Sequence, residues 1–475
     1  MDERQNPSRR PANPRRRKRT KFDIFKEVYL PLAIAGLAIV MLLVIIIGSI
    51  TRAVQRNQIA IEESIAASSE QVRIEEEAAY ILDKVKQMAL HYDFEGAIKL
   101  IDSFSGDKAD YPEMDTLKSQ YEFGLTQLVP YDDPNSIPNL SFNTLIADPN
   151  RAFTDEELSD TMKEDYITIA EFENILQQLY DHNYILVNPA EFVTVGLNDF
   201  GVNAYISKPI LLPEGKKPII ITQNNVCYPT ELIDGDGDKV ADQNGLGFAH
   251  RLLIAEDGSI QAEYIDATGQ TRVGAYDLVP ILDAFVAEHP DFSYKGAKAI
   301  LAVSGVEGVF GYRTYKAAEN YYGTEIYQQD VKDATALADA LYDDGYMIAC
   351  HTYGNVAYGE MELSEIKADI AKFKEEVGPI VGRLDSIVFA QNSDIAEGII
   401  YIGEKHQYLS EEGFCFYIGF STDGAPWTVV VDDYIRQGRI AINGENLEEN
   451  ADWFTDLFDA TMVLDDYARS LGNEE

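Results

Sequence analysis

Residues 217–228 read Lys-Pro-Ile-Ile-Ile-Thr-Gln-Asn-Asn-Val-Cys-Tyr, and no other stretch constrains the fold as tightly. A proline opens it, three β-branched isoleucines follow, and polar residues arrive where a strand should end. In α/β proteins the C-terminal ends of parallel strands carry the chemistry, because the loops there converge on one mouth. Functional groups are therefore expected at Gln223, Asn224 and Asn225. Side-chain amides at such a position cannot act as a base. Any functional reading has to explain them.

The surrounding pattern alternates. Strands are expected at 140–147, 184–187, 218–222, 299–303, 347–350, 386–390, 414–420 and 428–431. Helices are expected at 168–182, where Phe172, Ile175, Leu176 and Leu179 share a face, and at 276–289, 330–342 and 364–377. Strands separated by helical stretches argue for a parallel sheet or barrel, so the fold class is α/β.

The first 138 residues are organised differently. Residues 29–50 carry no charge, and 22 residues at 1.5 Å each span roughly 33 Å, enough for a membrane. The cluster Arg15-Arg16-Arg17-Lys18-Arg19 precedes this run and places a cytoplasmic tail at 1–28, with everything after Thr51 outside. Residues 51–129 read as a helical stalk. Ile74, Ala78, Ile81, Val85 and Met88 share one helical face, which either dimerises as a coiled coil or packs on the next helix. The segment from His91 to Ile101 and the one from Met114 to Leu128 suggest a tetratricopeptide-like hairpin. Three prolines within 130–138 mark a linker, and the large domain occupies 139–475.

Charge narrows the partners. The net charge is −41, and residues 1–50 hold ten basic and four acidic residues, so the rest carries 29 basic against 76 acidic. Such a surface repels nucleic acid and favours neutral ligands or divalent cations. No phosphate-binding loop, dinucleotide fingerprint or nucleophile elbow is present.

Four segments in order carry a family resemblance: Leu145 to Phe153 (LIADPNRAF), Glu171 to Phe192, Lys217 to Tyr228, and Leu341 to Asn355 (LYDDGYMIACHTYGN). The succession over about 139–445 resembles the polysaccharide deacetylases of the NodB-homology type, carbohydrate esterase family 4. The resemblance implies a distorted (β/α) barrel of about seven strands and a metal-dependent hydrolase of N-acetylated amino-sugar polymers. It also implies that the first motif supplies a base and a metal ligand, here replaced by Asn224 and Asn225. The second motif implies two imidazole ligands, here His351 and Asn355. A third, aromatic-proline motif would fall at 388–394, where the proline is missing. A catalytic metal wants anionic or imidazole donors, and neutral amides bind such ions poorly. With three of four groups replaced, the sequence argues against a divalent metal at the mouth and for a catalytically impaired protein.

Cys227 and Cys350 adjoin the two altered motifs. They read as apolar fillers of buried strands, as part of a Cys/His metal site, or as a disulfide. Residues 234–245 run Asp-Gly-Asp-Gly-Asp-Lys-Val-Ala-Asp-Gln-Asn-Gly. Asp234, Asp236, Asp238, the Val240 carbonyl and Asp242 take five positions of a calcium loop, although Lys239 and Gly245 depart from that pattern. The segment is a weak calcium site or an acidic turn.

The resulting expectation is a single-pass membrane protein with an outward-facing barrel that binds cell-wall or surface glycan through Tyr228, Tyr353 and Trp427. One alternative is an active deacetylase with a site rearranged around His351, Cys227 or Asp394. Another is an envelope scaffold that acts, and oligomerises, through its stalk helices.

Overall fold

The computed structural model describes residue 22 and residues 30–198, 200–396 and 398–472. In the helix before residue 69 most side chains lie outside the described set. The chain divides into two compact units, Met1–Tyr80 and Ile81–Glu475. From residue 30 on, the first is helix that belongs to the element Leu30–Leu90. Arg73 pairs there with Glu70 at 2.7 Å and Glu77 at 3.2 Å, one turn away on either side. The expected membrane span falls almost wholly on residues whose side chains lie outside the described set. Among the described residues, no helix is long and apolar enough to cross a membrane.

The second unit is built on seven parallel strands: β1 (Asn139–Phe142), β2 (Lys217–Gln223), β3 (Ile300–Val303), β4 (Met347–Cys350), β5 (Ser386–Val388), β6 (Phe416–Phe420) and β7 (Ile435–Ile442). Each pairs with its successor, and β7 pairs back onto β1 with Ile440 opposite Leu140, so the ring closes. Closure leaves no edge strand to protect. Helices α1 (Ile169–Asp181), α2 (Leu278–Glu288), α3 (Thr324–Asp343), α4 (Leu363–Glu376) and α5 (Glu404–Glu412) follow the first five strands in turn. This is a (β/α) barrel of seven strands, as expected.

Side chains alternate across the ring with period two. Ile220, Ile300, Ala302, Ala349, Phe416, Ile418 and Ile435 fill the interior, while Ile219, Ile221, Leu301, Ile387 and Ile440 face the helices. Within the barrel, Thr222 Oγ1 donates to Asn139 Oδ1 (2.8 Å) and Asn139 Nδ2 to Gln437 Oε1 (3.0 Å), so this buried polar layer is internally satisfied. The residues that follow it on β2 and β7, toward the C-terminal mouth, are Asn224 and Arg439.

The spacer helices sit at the opposite end. The face of Ile81 and Val85 is buried, as are Ala97, Ile101 and Met114 on the helical hairpin Phe94–Asp102 and Pro112–Thr126. The end of the long helix meets this hairpin where Lys86 pairs with Glu113 at 2.8 Å. His91 Nδ1 bonds the Ser293 carbonyl and Lys295 N–H donates to the His91 carbonyl, both just ahead of β3. The hairpin therefore docks at the N-terminal end of the ring, and the mouth opens away from it.

Three expected strands differ. The first stops at Phe142, because Leu145 N–H is taken by the Asp277 carboxylate. Tyr184–Leu186 pairs parallel with β2 outside the ring, and Trp427–Val430 runs antiparallel to β7 as an appendage. The strand that closes the barrel is β7 itself, which the sequence reading did not anticipate. A three-stranded antiparallel meander, Ala249–Ile254, Ile260–Ile265 and Thr271–Gly274, is inserted between β2 and α2.

Candidate functional site at the barrel mouth

The strand ends enclose a pocket of about 400 Å³. Its wall contains Asn143 after β1, Asn224 and Asn225 after β2, His351 and Asn355 after β4, Gln391 and Asn392 after β5, and Asn443 after β7. Seven of these eight are side-chain amides. Ser141, Tyr166, Phe420 and Arg439 also line it, as do the exposed Asp165 and Glu231. All four motif positions, three of them altered, are thus brought together. Gln223 is not among them: as an outward residue of β2 it donates through Nε2 to Asp277 Oδ2 at 2.8 Å, away from the mouth.

The backbone holds these side chains in uncommon conformations. Asn225, Thr352, Asn355, Gln391 and Asn392 all have φ between +48° and +62°. Asparagine tolerates the left-handed region, but a β-branched threonine at +62° is strained. Thr352 is held there partly by Val356 N–H, which donates to its hydroxyl at 2.9 Å. Strain of this kind clusters where geometry serves function.

Asn224 is fixed on both sides. Its Nδ2 donates to Ser141 Oγ (2.9 Å) and Asn143 Oδ1 (3.2 Å), and its Oδ1 accepts from Arg439 Nη1 at 2.6 Å. Arg439 also donates to the Phe389 carbonyl at 2.7 Å, and its guanidinium carbon lies 4.0 Å from the Phe420 ring centroid. The side chain is 1% exposed, and its Nε has no partner. Burial alone pushes the guanidinium down to about 9. His351 Nδ1 lies 2.9 Å from the Val388 carbonyl, which can only accept, so the proton sits on Nδ1 and Nε2 keeps a lone pair. Burial, together with the nearby Arg439 charge, pushes this imidazole down to about 3, so it is neutral and a weak base.

These donors do not fit a catalytic metal triad. Asn225 Oδ1 already accepts from Ser304 Oγ (2.7 Å) and Cys227 Sγ (3.2 Å), and Asn225 and Asn355 carry no charge. Among the described residues, the one cluster of three His, Cys, Asp or Glu with mutually close ligand atoms lies elsewhere. Neither does a Cys/His site form. Cys227, Cys350 and Cys415 are all free, which removes the disulfide alternative, and burial pushes the Cys227 thiol up to about 12. Asp394 is paired outside the ring with Arg436 at 2.7 Å, so it is not available for a rearranged centre.

The close cluster is Asp234, Asp236 and Asp242 in the acidic loop, with ligand oxygens within 4.8 Å of one another. Asp238 is not part of it: its side chain accepts from Val240 N–H at 2.9 Å, and its carbonyl accepts from Tyr321 Oη at 3.2 Å. Asp234 accepts from the backbone N–H groups of Asp236, Gly237 and Lys239, which folds the loop around its own carboxylate.

The three aromatic residues expected to bind sugar are elsewhere. Tyr228 is fully buried behind β2, with its hydroxyl on Asp277 Oδ2 at 2.5 Å. Tyr353 is 6% exposed and donates to Glu376 at 2.8 Å. Trp427 covers the outer face of β7, where Gly438 leaves room for its indole: a Cβ there would lie 2.1 Å from Trp427 Nε1. Tyr166 and Phe420 are the aromatic residues at the mouth.

No protein-family model and no curated protein matches this chain. Among solved structures, the Streptococcus pyogenes deacetylase PplD in complex with acetate shows similarity over 67% of this chain and 97% of its own. The sequence identity is 12% and the TM-score 0.31. At that level, fold and function rest on the geometry of this chain alone.

Proposed function

We propose that the chain is a polysaccharide-deacetylase-like barrel protein that holds glycan at its mouth without hydrolysing the sugar's amide. The observation that carries this reading is the convergence of seven side-chain amides on one pocket of about 400 Å³. Amides offer paired donors and acceptors, the complement of sugar hydroxyl and N-acetyl groups, and a few such polar groups orient a ligand in a pocket. Hydrolysis needs a base and an activated water. Asn224 has no proton-accepting lone pair of useful basicity, and His351 is a neutral, weakly basic imidazole.

The test is calorimetric titration of the full chain with N-acetylglucosamine oligomers, beside an assay of acetate release with and without added zinc. Binding without release is the expected result. Acetate release that disappears in His351→Ala would install the rival reading, an active deacetylase. Absence of binding to any oligomer would remove the glycan reading.

The cellular placement is part of the proposal and rests on the sequence alone. Residues 29–50 tether the chain, and the barrel lies outside. Protease added to intact cells is expected to remove the barrel and leave the amino-terminal tail protected; a barrel resistant until lysis would refute it.

A further inference from the structure

We propose that the ligand of this pocket carries a carboxylate recognised by Arg439, so that the glycan is an acidic one. The inference rests on the glycan reading above and adds the charge of the sugar.

A buried guanidinium calls for a buried or bound anion. Elsewhere in this chain that rule is kept. Arg436, Arg469 and Arg313 are each less than a tenth exposed, and they pair with Asp394 at 2.7 Å, Glu171 at 2.8 Å and Glu307 at 3.6 Å. Arg439 is more deeply buried than any of them, yet its two hydrogen bonds go to the neutral oxygens of Asn224 and Phe389. Of five N–H donors it uses two, and Nε is left unpaired. The ring of Phe420 compensates the charge only in part. This is also the arginine that lines the pocket. The two carboxylates of the wall, Asp165 and Glu231, are exposed, so water screens them.

A single carboxylate suits the site better than a phosphate. A planar carboxylate matches the guanidinium fork, whereas a phosphomonoester brings about −1.5 to −2 charges toward a chain whose net charge is −41. The amides around Arg439 then meet the hydroxyl groups of the ring that bears the carboxylate.

The experiment is calorimetry on the full chain with three probes: a tetrasaccharide of alternating glucuronate and N-acetylglucosamine, the same tetrasaccharide with its carboxylates reduced to alcohols, and inorganic phosphate. The acidic form is expected to bind about ten- to a hundredfold tighter than the reduced one, the range of a hydrogen-bonded charge contact. Arg439→Gln is expected to bring that ratio near one. So is Asn224→Asp, which places a carboxylate beside the guanidinium without removing it and guards against a misfolded Arg439 variant. Equal affinity for both tetrasaccharides overturns the acidic-sugar inference and leaves the glycan reading standing. Failure of both to bind removes the two together. Phosphate binding tighter than the acidic tetrasaccharide also overturns the inference, as does a preference that survives in both variants.

Discussion

Replacing Asn224 by aspartate exposes the electrostatic state of the mouth. Burial pushes Arg439 down to about 9, so keeping the guanidinium charged carries a penalty on the order of several kcal/mol. The atom facing it at 2.6 Å is the neutral Asn224 Oδ1. A carboxylate there upgrades a neutral acceptor to a charged one, worth roughly 1–2 kcal/mol more, and adds direct Coulomb attraction. Against that, the donation to Asn143 Oδ1 is lost, about 1 kcal/mol, while the Ser141 hydroxyl is free to rotate and donate instead. The Coulomb attraction offsets the desolvation of the new carboxylate, which leaves a net expected gain of about 1–2 kcal/mol at pH 7. Urea unfolding measures it best, as a raised midpoint at unchanged slope. In a unit of roughly 400 residues the same energy moves Tm by only about 1–3 °C. The sign with pH follows from linkage. Arg439 depresses the folded-state pKa of the new carboxylate, so the gain is present above about pH 4 and disappears as the pH falls further. A variant less stable than the parent at pH 7, or a gain undiminished at pH 3, would refute the picture of an uncompensated guanidinium.

Three further outcomes are expected. Because His351 titrates near 3 in the folded chain and near 6.5 when unfolded, the unfolded state takes up a proton between those values that the folded state refuses. Stability should therefore fall with pH across that window by up to about 1.36 kcal/mol per unit, and His351→Gln should flatten the fall; equal slopes in the two proteins would contradict it. Calcium at millimolar concentration should raise Tm, with Asp234→Asn abolishing the shift, if the three clustered carboxylates bind it with the affinity of extracellular modules; an unchanged Tm identifies an acidic turn. In the native chain Cys227 and Cys350 should resist a thiol reagent that reaches the half-buried Cys415, and all three should react on unfolding without reductant; a single reactive thiol would mean a disulfide.

Much of the scaffold was legible because ring strands on both sides of the barrel wall are apolar. Pro218 to Thr222, Met347 to Cys350 and Phe416 to Phe420 announce themselves by composition, and the helices by periodicity. Asn224, Asn225, His351 and Asn355 were legible as a group because they follow such strands. The closing strand was hidden. Ile-Arg-Gln-Gly-Arg-Ile-Ala-Ile carries two arginines, a glutamine and a glycine, and only its position in a ring explains each one. Arg436 pairs outside the ring, Gly438 admits Trp427, Gln437 joins the internal polar layer and Arg439 reaches the mouth. Missing β7 meant missing the residue that gives the pocket its charge. The aromatic residues failed for the opposite reason: adjacency to a motif does not fix which side of a strand a ring faces, and Tyr228 faces the outer core.

The mouth of this barrel carries unfavourable features that the interior beneath it lacks, and that contrast is itself an argument about function. The layer of Asn139, Thr222 and Gln437 inside the barrel satisfies its hydrogen bonds internally. At the mouth stand a buried guanidinium with no carboxylate partner and, among the described residues, five of the eleven non-glycine residues in the left-handed region, one of them β-branched. The strained Thr352 costs of order 1–3 kcal/mol, and the guanidinium several more. A fold under selection for stability alone would replace Asn224 by aspartate or Arg439 by an apolar residue, either of which is a single substitution. Departures from local consistency that gather in one pocket are expected where a ligand completes the structure. A bound acidic sugar would supply the charge Arg439 lacks, and would stabilise the folded chain by mass action in proportion to its concentration over Kd. On this argument the same tetrasaccharide should raise the urea midpoint of the parent and leave that of Asn224→Asp nearly unmoved.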